Sequence, residues 1–380
     1  MRRSRSRKAL KNDVNEPLRY ILSNLIRYKS IDIDKYNKRE YCKIHGSGYT
    51  YLFTPNDDAL KFISARIKYH RALQNKLAIF YLSIVRRIPR KLIPFKTQIK
   101  YPEQLKDVFG ELIIISGARM KSFNFSSKQL FTFPLNRISK ERLKTEIEVR
   151  KRLEEKINLP KILHYDENFP YLVEEIVGYP LYKLDKQTWP LVVDAFGQLI
   201  TFYKENAVKV TSVKEKLKEI EFILRKEDFK HEYVEIMKNL LKTLNDFIDK
   251  NLLITLTHGD LYLGNLVSDG KTIYITDWDF PRERLILSDF IYMLFRYYID
   301  SGSVGVIYSL LTEEKNMHRK YIIKILEEFD KNFNIGLLSD LNMLKCYLVL
   351  GVLERIPLFE SPTFQKLIFK RLKRMLHVIK

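Results

Sequence analysis

The chain has 380 residues, 46% of them hydrophobic, a length that fits one two-lobed unit plus an extension and a composition that excludes a disordered protein. Its two cysteines, Cys42 and Cys346, exclude a disulfide-rich scaffold and a four-cysteine zinc site. The net charge is +21, and residues 1–100 carry +17 of it, from 24 Lys and Arg against 7 Asp and Glu.

That asymmetry makes residues 1–100 a basic, mostly helical extension, attracted to a polyanion or an anionic membrane surface or simply solvated; no specific nucleic-acid motif accompanies it. Residues 1–12 read as a disordered basic arm. No apolar stretch follows it, so it is not a secretory signal, and no run of 18 apolar residues follows anywhere. The expectation is a cytoplasmic protein, at most peripheral at a membrane. Pro17 to Lys29 has helical spacing, and Tyr41 to Phe53 reads as short strands or loops. Asp58 to Arg87 reads as one long helix or two. Its apolar stretch Leu77 to Val85, followed by Arg86, Arg87, Arg90 and Lys91, reads as a core helix with a basic edge or as a membrane-surface stripe. Pro89 to Pro102 is the predicted linker.

From Glu111 the character changes. Glu111 to Ser116, Lys121 to Phe125 and Gln129 to Phe133 predict short antiparallel strands, with Ser126, Ser127 and Lys128 as a turn. Ser139 to Lys156 predicts a charged helix with Ser139 as N-cap. Lys161 to Tyr165 and Tyr171 to Ile176 predict two more strands. After Gly178, helices are predicted over Trp189 to Asn206, Ser212 to Leu224, Glu232 to Asn251, and again from Ser288. Strands with one helix, then mostly helices, predict an α+β protein with a small lobe at 101–178 and a helical lobe at 179–380.

The segment with chemistry is Leu256-Thr-His258-Gly259-Asp260-Leu-Tyr-Leu-Gly-Asn265-Leu-Val267, followed by Thr276-Asp277-Trp278-Asp279-Phe280. Between them, Ser268-Asp-Gly-Lys271 is a turn signal, so Leu266-Val267 and Ile273-Tyr274-Ile275 are expected to pair and to bring Asp260, Asn265 and Asp277 to one end. Phosphoryl transfer needs a carboxylate to receive the acceptor's proton and hard oxygen ligands for Mg²⁺. Asp260 suits the first task, Asn265 and Asp277 the second. His258 reads as a brace of the loop or a catalytic group, Asp279 as a further metal ligand or a surface carboxylate, and Trp278 as packing.

HGDLYLGN followed by TDWD resembles the aminoglycoside phosphotransferase and choline kinase family, which has the protein-kinase-like fold; the likeness covers roughly residues 110–380. It implies an ATP- and Mg²⁺-dependent kinase acting on a hydroxyl of a small molecule such as a sugar, an amino alcohol or a lipid-linked acceptor. It implies Asp260 as base, Asn265 and Asp277 as metal ligands, and Asp289 as the group that braces the loop. Upstream it implies Ser116 to Arg119, with Gly117 and Arg119, as the turn over the phosphates. It also implies Glu146 as partner of a phosphate-binding lysine and the backbone of Glu175 to Val177 as the seat of the base. At the lysine position stands Thr132. Either Lys128 or Arg119 supplies the charge, or ATP binds weakly, or the protein is a pseudokinase that binds through its basic extension.

Overall fold

In the computed structural model the described residues are 15–28, 36–46, 49–69, 82, 96–166, 171–206, 208–226, 231–278, 280–303, 305–312, 316–356 and 362–379. The predicted arm, most of the Leu77 to Lys91 stripe, and Asp279 lie outside them. The chain divides into two units: residues through Glu148 with Leu159–Tyr182, and Val149–Asn158 with Lys183–Lys380.

The first unit is built on an eight-stranded antiparallel sheet. In chain order its strands are β1 (Tyr36–Gly46), β2 (Tyr49–Phe53), β3 (Lys96–Pro102), β4 (Leu112–Ile115), β5 (Arg119–Asn124), β6 (Gln129–Pro134), β7 (Ile162–Asp166) and β8 (Tyr171–Glu175). Their spatial order is β3-β1-β2-β4-β5-β6-β8-β7. β4 reads as an unbroken apolar run, Leu-Ile-Ile-Ile, because both faces of the sheet are covered. Ile113 and Ile115 join Met120, Phe133 and Val173 on one face, together with Leu18 and Ile21 of helix α1 (Asn15–Tyr28). Leu112 and Ile114 join Phe123 and Leu130 on the other, under Phe62 and Ile63 of α2 (Asp57–Tyr69).

This sheet corrects the expected extension. β1, β2 and β3 pair into the same sheet as β4, so residues 36–46, 49–53 and 96–102 are not a helical appendage. It also corrects the linker, since Lys96–Pro102 is a strand paired along β1. Helix α3 (Arg137–Leu153) begins earlier than predicted. Its cap is Asn136, whose Oδ1 accepts from the Ser139 amide at 2.9 Å, while Ser139 Oγ accepts from the Asn136 amide at 3.1 Å. That reciprocal pair is a capping box, and Ser139 is its second member.

The second unit is mainly helical. Its helices are α4 (Thr188–Glu205), α5 (Val213–Lys226), α6 (His231–Lys242), α7 (Ser288–Ser301), α8 (Gly305–Leu311), α9 (Met317–Phe333), α10 (Leu341–Leu353) and α11 (Pro362–Ile379). Between α4 and α7 lie β9 (Lys209–Ser212), β10 (Asn251–Thr257), β11 (Leu266–Ser268), β12 (Ile273–Ile275) and β13 (Arg282–Leu285). The helix predicted to run to Asn251 stops at Lys242. Asn251 instead opens β10, which pairs with β9 and β13. A continuous run such as Leu252-Leu253-Ile254 has no periodicity to separate strand from helix. From Cys346 to Leu353 helix α10 is apolar and buried on all sides, because it is packed on α7 and α5 at the centre of the unit. Among the described residues no helix is long and apolar enough to cross a membrane.

Candidate active site

The predicted hairpin forms: Leu266 pairs with Ile275, Val267 with Tyr274 and Ser268 with Ile273. Its turn is tied by Asp269, whose Oδ1 accepts from the Lys271 and Thr272 amides at 2.8 Å each, and Gly270 takes a positive φ of 100°. At the open end the Thr276 amide donates to the Asn265 carbonyl at 2.9 Å. Asn265 is buried, and its Nδ2 donates to the backbone carbonyl of Asp260 at 2.9 Å. A single amide side chain thus ties the loop to the hairpin and directs Oδ1, the atom with affinity for a hard cation, away from that bond. Asp277 follows with φ at 66°, a left-handed conformation uncommon outside glycine. Such strain persists where the surroundings over-determine it, which is the habit of functional sites. Among the described residues no cluster of three or more His, Cys, Asp or Glu is poised for a metal. Two oxygen ligands nevertheless fit Mg²⁺, which keeps waters and takes its other contacts from substrate phosphates.

Asp260 receives a hydrogen bond on Oδ1 from the Tyr292 hydroxyl at 2.9 Å. Burial raises its pKa above the ordinary carboxylate range, and Tyr292, Arg355 and Arg296 resist that rise. The Tyr292 phenol is itself raised, by burial first and then by the Asp260 charge, so it stays a donor.

The loop ahead of Asp260 is held from within the fold. His258 Nδ1 accepts from the Asp260 amide at 3.3 Å, which leaves the proton on Nε2 to donate to the Thr276 carbonyl at 2.9 Å. With both ring nitrogens on backbone, His258 braces the loop. Trp278, fully buried, packs on His258 and edge-on to Phe202. Asp289, in the first turn of α7, accepts on Oδ2 from the His258 amide and the Tyr203 hydroxyl, each at 2.7 Å. Its Oδ1 accepts from the Gly259 amide at 3.1 Å and pairs with Arg355 at 3.4 Å. The expected brace is therefore in place, and burial with the Asp289 charge keeps the Tyr203 phenol protonated by raising its pKa.

Arg355 was not visible in the motif. It is fully buried, donates to the Gly259 carbonyl, and stacks over the Tyr292 ring at 4.4 Å. It thus reaches both the brace and the residue bonded to Asp260. Beside it Arg284 is held down to about 10, by burial first and then by the Arg355 charge. Gly259 is required twice over: φ is 85°, and a Cβ there would lie 1.7 Å from the Phe280 carbonyl oxygen. Gly259→Ala is expected to unfold the loop and abolish activity; near-wild-type turnover by the folded variant would contradict this geometry.

In the first unit, Arg119 and Glu146 are brought together in a buried ion pair at 2.9 Å. Gly117 sits in the β4–β5 turn, where Ser116 Oγ accepts from the Arg119 amide at 2.9 Å. An added Cβ at Gly117 would meet open space, so crowding does not demand glycine there. Lys128 is exposed, has φ at 55°, and lies in the β5–β6 turn. β5 carries the chain about 17 Å away from Arg119, so Lys128 lies at the opposite end of the hairpin from Gly117. Lys128 belongs instead with Glu175 and Val177, since its carbonyl accepts from the Ile176 amide at 2.8 Å.

The sequence matches no protein-family model and no curated protein. Among solved structures the chain is similar to aminoglycoside phosphotransferases and choline kinases, the group its motif resembles. One is APH(2")-IIia in its GDP and kanamycin complex, at 12% identity over 70% of this chain and 90% of that one, with a TM-score of 0.48. Another is ADP-bound aminoglycoside phosphotransferase APH(2'')-Ib, at 14% identity, 70% and 91% coverage, and a TM-score of 0.43. A third is choline kinase LicA from Streptococcus pneumoniae, at 14% identity, 72% and 96% coverage, and a TM-score of 0.41.

Proposed function

We propose that the protein is an ATP- and Mg²⁺-dependent phosphotransferase whose acceptor is a hydroxyl of a small molecule. The observation that carries this reading is the Asp260–Asn265 arrangement: a half-buried carboxylate with a raised pKa, its own backbone carbonyl held by an amide whose oxygen remains for a cation. In the reaction the acceptor oxygen bonds to the γ-phosphorus, its proton passes to the Asp260 carboxylate, and the bond to the β-phosphate oxygen breaks to release ADP. Asn265 Oδ1 and the Asp277 carboxylate would hold Mg²⁺, whose contribution is neutralisation of charge on the phosphate oxygens. Tyr292 holds the base, while His258, Asp289 and Arg355 keep its loop in one geometry.

The same reading assigns nucleotide handling to residues 101–178, with Gly117, Arg119, Glu146 and the backbone of Glu175 and Val177, and catalysis to 179–380. Incubation with ATP, Mg²⁺ and a panel of sugars and amino alcohols is expected to transfer phosphate to at least one of them, and chelation should stop it. Transfer that survives chelation would contradict the metal role. A second reading, a pseudokinase that docks on a polyanion or anionic membrane through residues 1–100, is favoured by Thr132 at the lysine position. It requires binding that weakens steeply with salt.

A further inference from the structure

We propose that Thr255 and Arg284 form a binding site for a small monovalent inorganic anion, such as chloride, at the root of the catalytic loop. The two residues stand directly opposite each other in the β10–β13 ladder, and β10 ends at Thr257, just before His258. Opposed residues of an antiparallel pair project from the same face, with Cβ atoms about 4.5–5.5 Å apart. Both are buried, Thr255 at 1% exposed and Arg284 at 7%. Among the described residues, neither Thr255 Oγ1 nor Arg284 Nη1 meets a hydrogen-bond partner. Two orphan donors on one buried face are costly unless an acceptor joins them.

The charges nearby indicate which acceptor. Arg284 feels Arg355 and Arg282 against it, and Glu354 and Asp289 in its favour. Both carboxylates are already matched. Asp289 pairs with Arg355 at 3.4 Å, and Glu354 pairs with the buried Lys216 at 3.2 Å while accepting from the Ser288 hydroxyl at 3.3 Å. Among the described residues of this group, Arg284 is therefore the buried cation left without a carboxylate. Held down to about 10, it still keeps its proton at neutral pH, so its charge has to be met rather than shed. One surplus positive charge with a hydroxyl beside it suits a monovalent anion. Arg355 Nε, buried and also without a partner, adds a donor to the same cluster. An anion there screens Arg284 from Arg355, the residue that donates to the Gly259 carbonyl, and so steadies the loop ahead of Asp260.

The test is the melting temperature of the full chain, without nucleotide, as chloride replaces gluconate at constant ionic strength and neutral pH. No ATP is present, so the outcome is independent of the phosphotransferase reading. Wild type is expected to melt several degrees higher in chloride, with a saturable dose dependence. In Arg284→Met that rise should vanish, and in gluconate the variant should melt at or above wild type, because the unmet buried charge is gone. Thr255→Val keeps the shape without the hydroxyl and should need about tenfold more chloride for the same rise. Chloride-independent melting of wild type overturns the proposal. So does an equal rise in Arg284→Met, which marks a bulk salt effect. Should Arg284→Met fail to fold, Thr255→Val decides alone, and a wild-type chloride dependence in it overturns the site. Stabilisation by phosphate but not by chloride contradicts the monovalent assignment.

Discussion

Asp260→Asn is expected to lower phosphate transfer by about 10²- to 10⁴-fold, the usual contribution of a positioned general base, while leaving ATP binding and the fold intact. The amide keeps the shape of the side chain and can still meet the Tyr292 hydroxyl, but it cannot take the acceptor's proton. Stability should not fall. Because the folded-state pKa of Asp260 is raised, its contribution to stability is fully present below the unfolded-state value of about 3.9 and is lost as pH rises through the folded value. At neutral pH the ionised, half-buried carboxylate is therefore a cost, and removing its charge is neutral or mildly stabilising. The same shift sets the acid limb of the rate profile. Activity should fall as pH drops through a pKa above the ordinary carboxylate range, and Asp260→Asn should abolish that limb. An unimpaired rate in Asp260→Asn would remove Asp260 from the mechanism.

Asp289→Ala is expected to have the largest effect on stability, about 3–5 kcal/mol by urea unfolding. The substitution leaves the fully buried Arg355 guanidinium without its carboxylate. It also strips acceptors from the His258 and Gly259 amides and from the Tyr203 hydroxyl. Because those amides precede Asp260 directly, transfer should be lost even in molecules that remain folded. Asp289→Asn should behave differently, since it keeps one acceptor oxygen but not the charge opposite Arg355. An Asp289→Ala protein with wild-type unfolding would mean that the network does not hold the loop.

The site was legible where its parts are close in sequence. The turn at Ser268 to Lys271 and the apolar flanks announce the hairpin, and the spacing from Asp260 through Asn265 to Asp277 then follows from local geometry. What was not legible depends on long-range packing. Arg355 lies 96 residues from the carbonyl it binds, and Tyr203 lies 86 from Asp289. The one sequence signal for Arg355 is a pair of charges, Glu354 and Arg355, directly after the mostly apolar helix Leu341–Leu353. β1 was hidden because Tyr36-Asn-Lys-Arg-Glu40 has no apolar alternation, its Lys38 and Glu40 being exposed. The basic N-terminal text therefore read as an appendage although it supplies three strands of the sheet.

The most direct test of a nucleotide–metal site is the melting temperature of wild type and Asp277→Ala with ATP, with and without Mg²⁺. Ligand that binds the native state stabilises it by about 2.7 kcal/mol at 100 times its Kd. A clear rise is expected in wild type, one that requires Mg²⁺ and is lost in Asp277→Ala. No rise in wild type under any condition, or an equal rise in the variant, would contradict it.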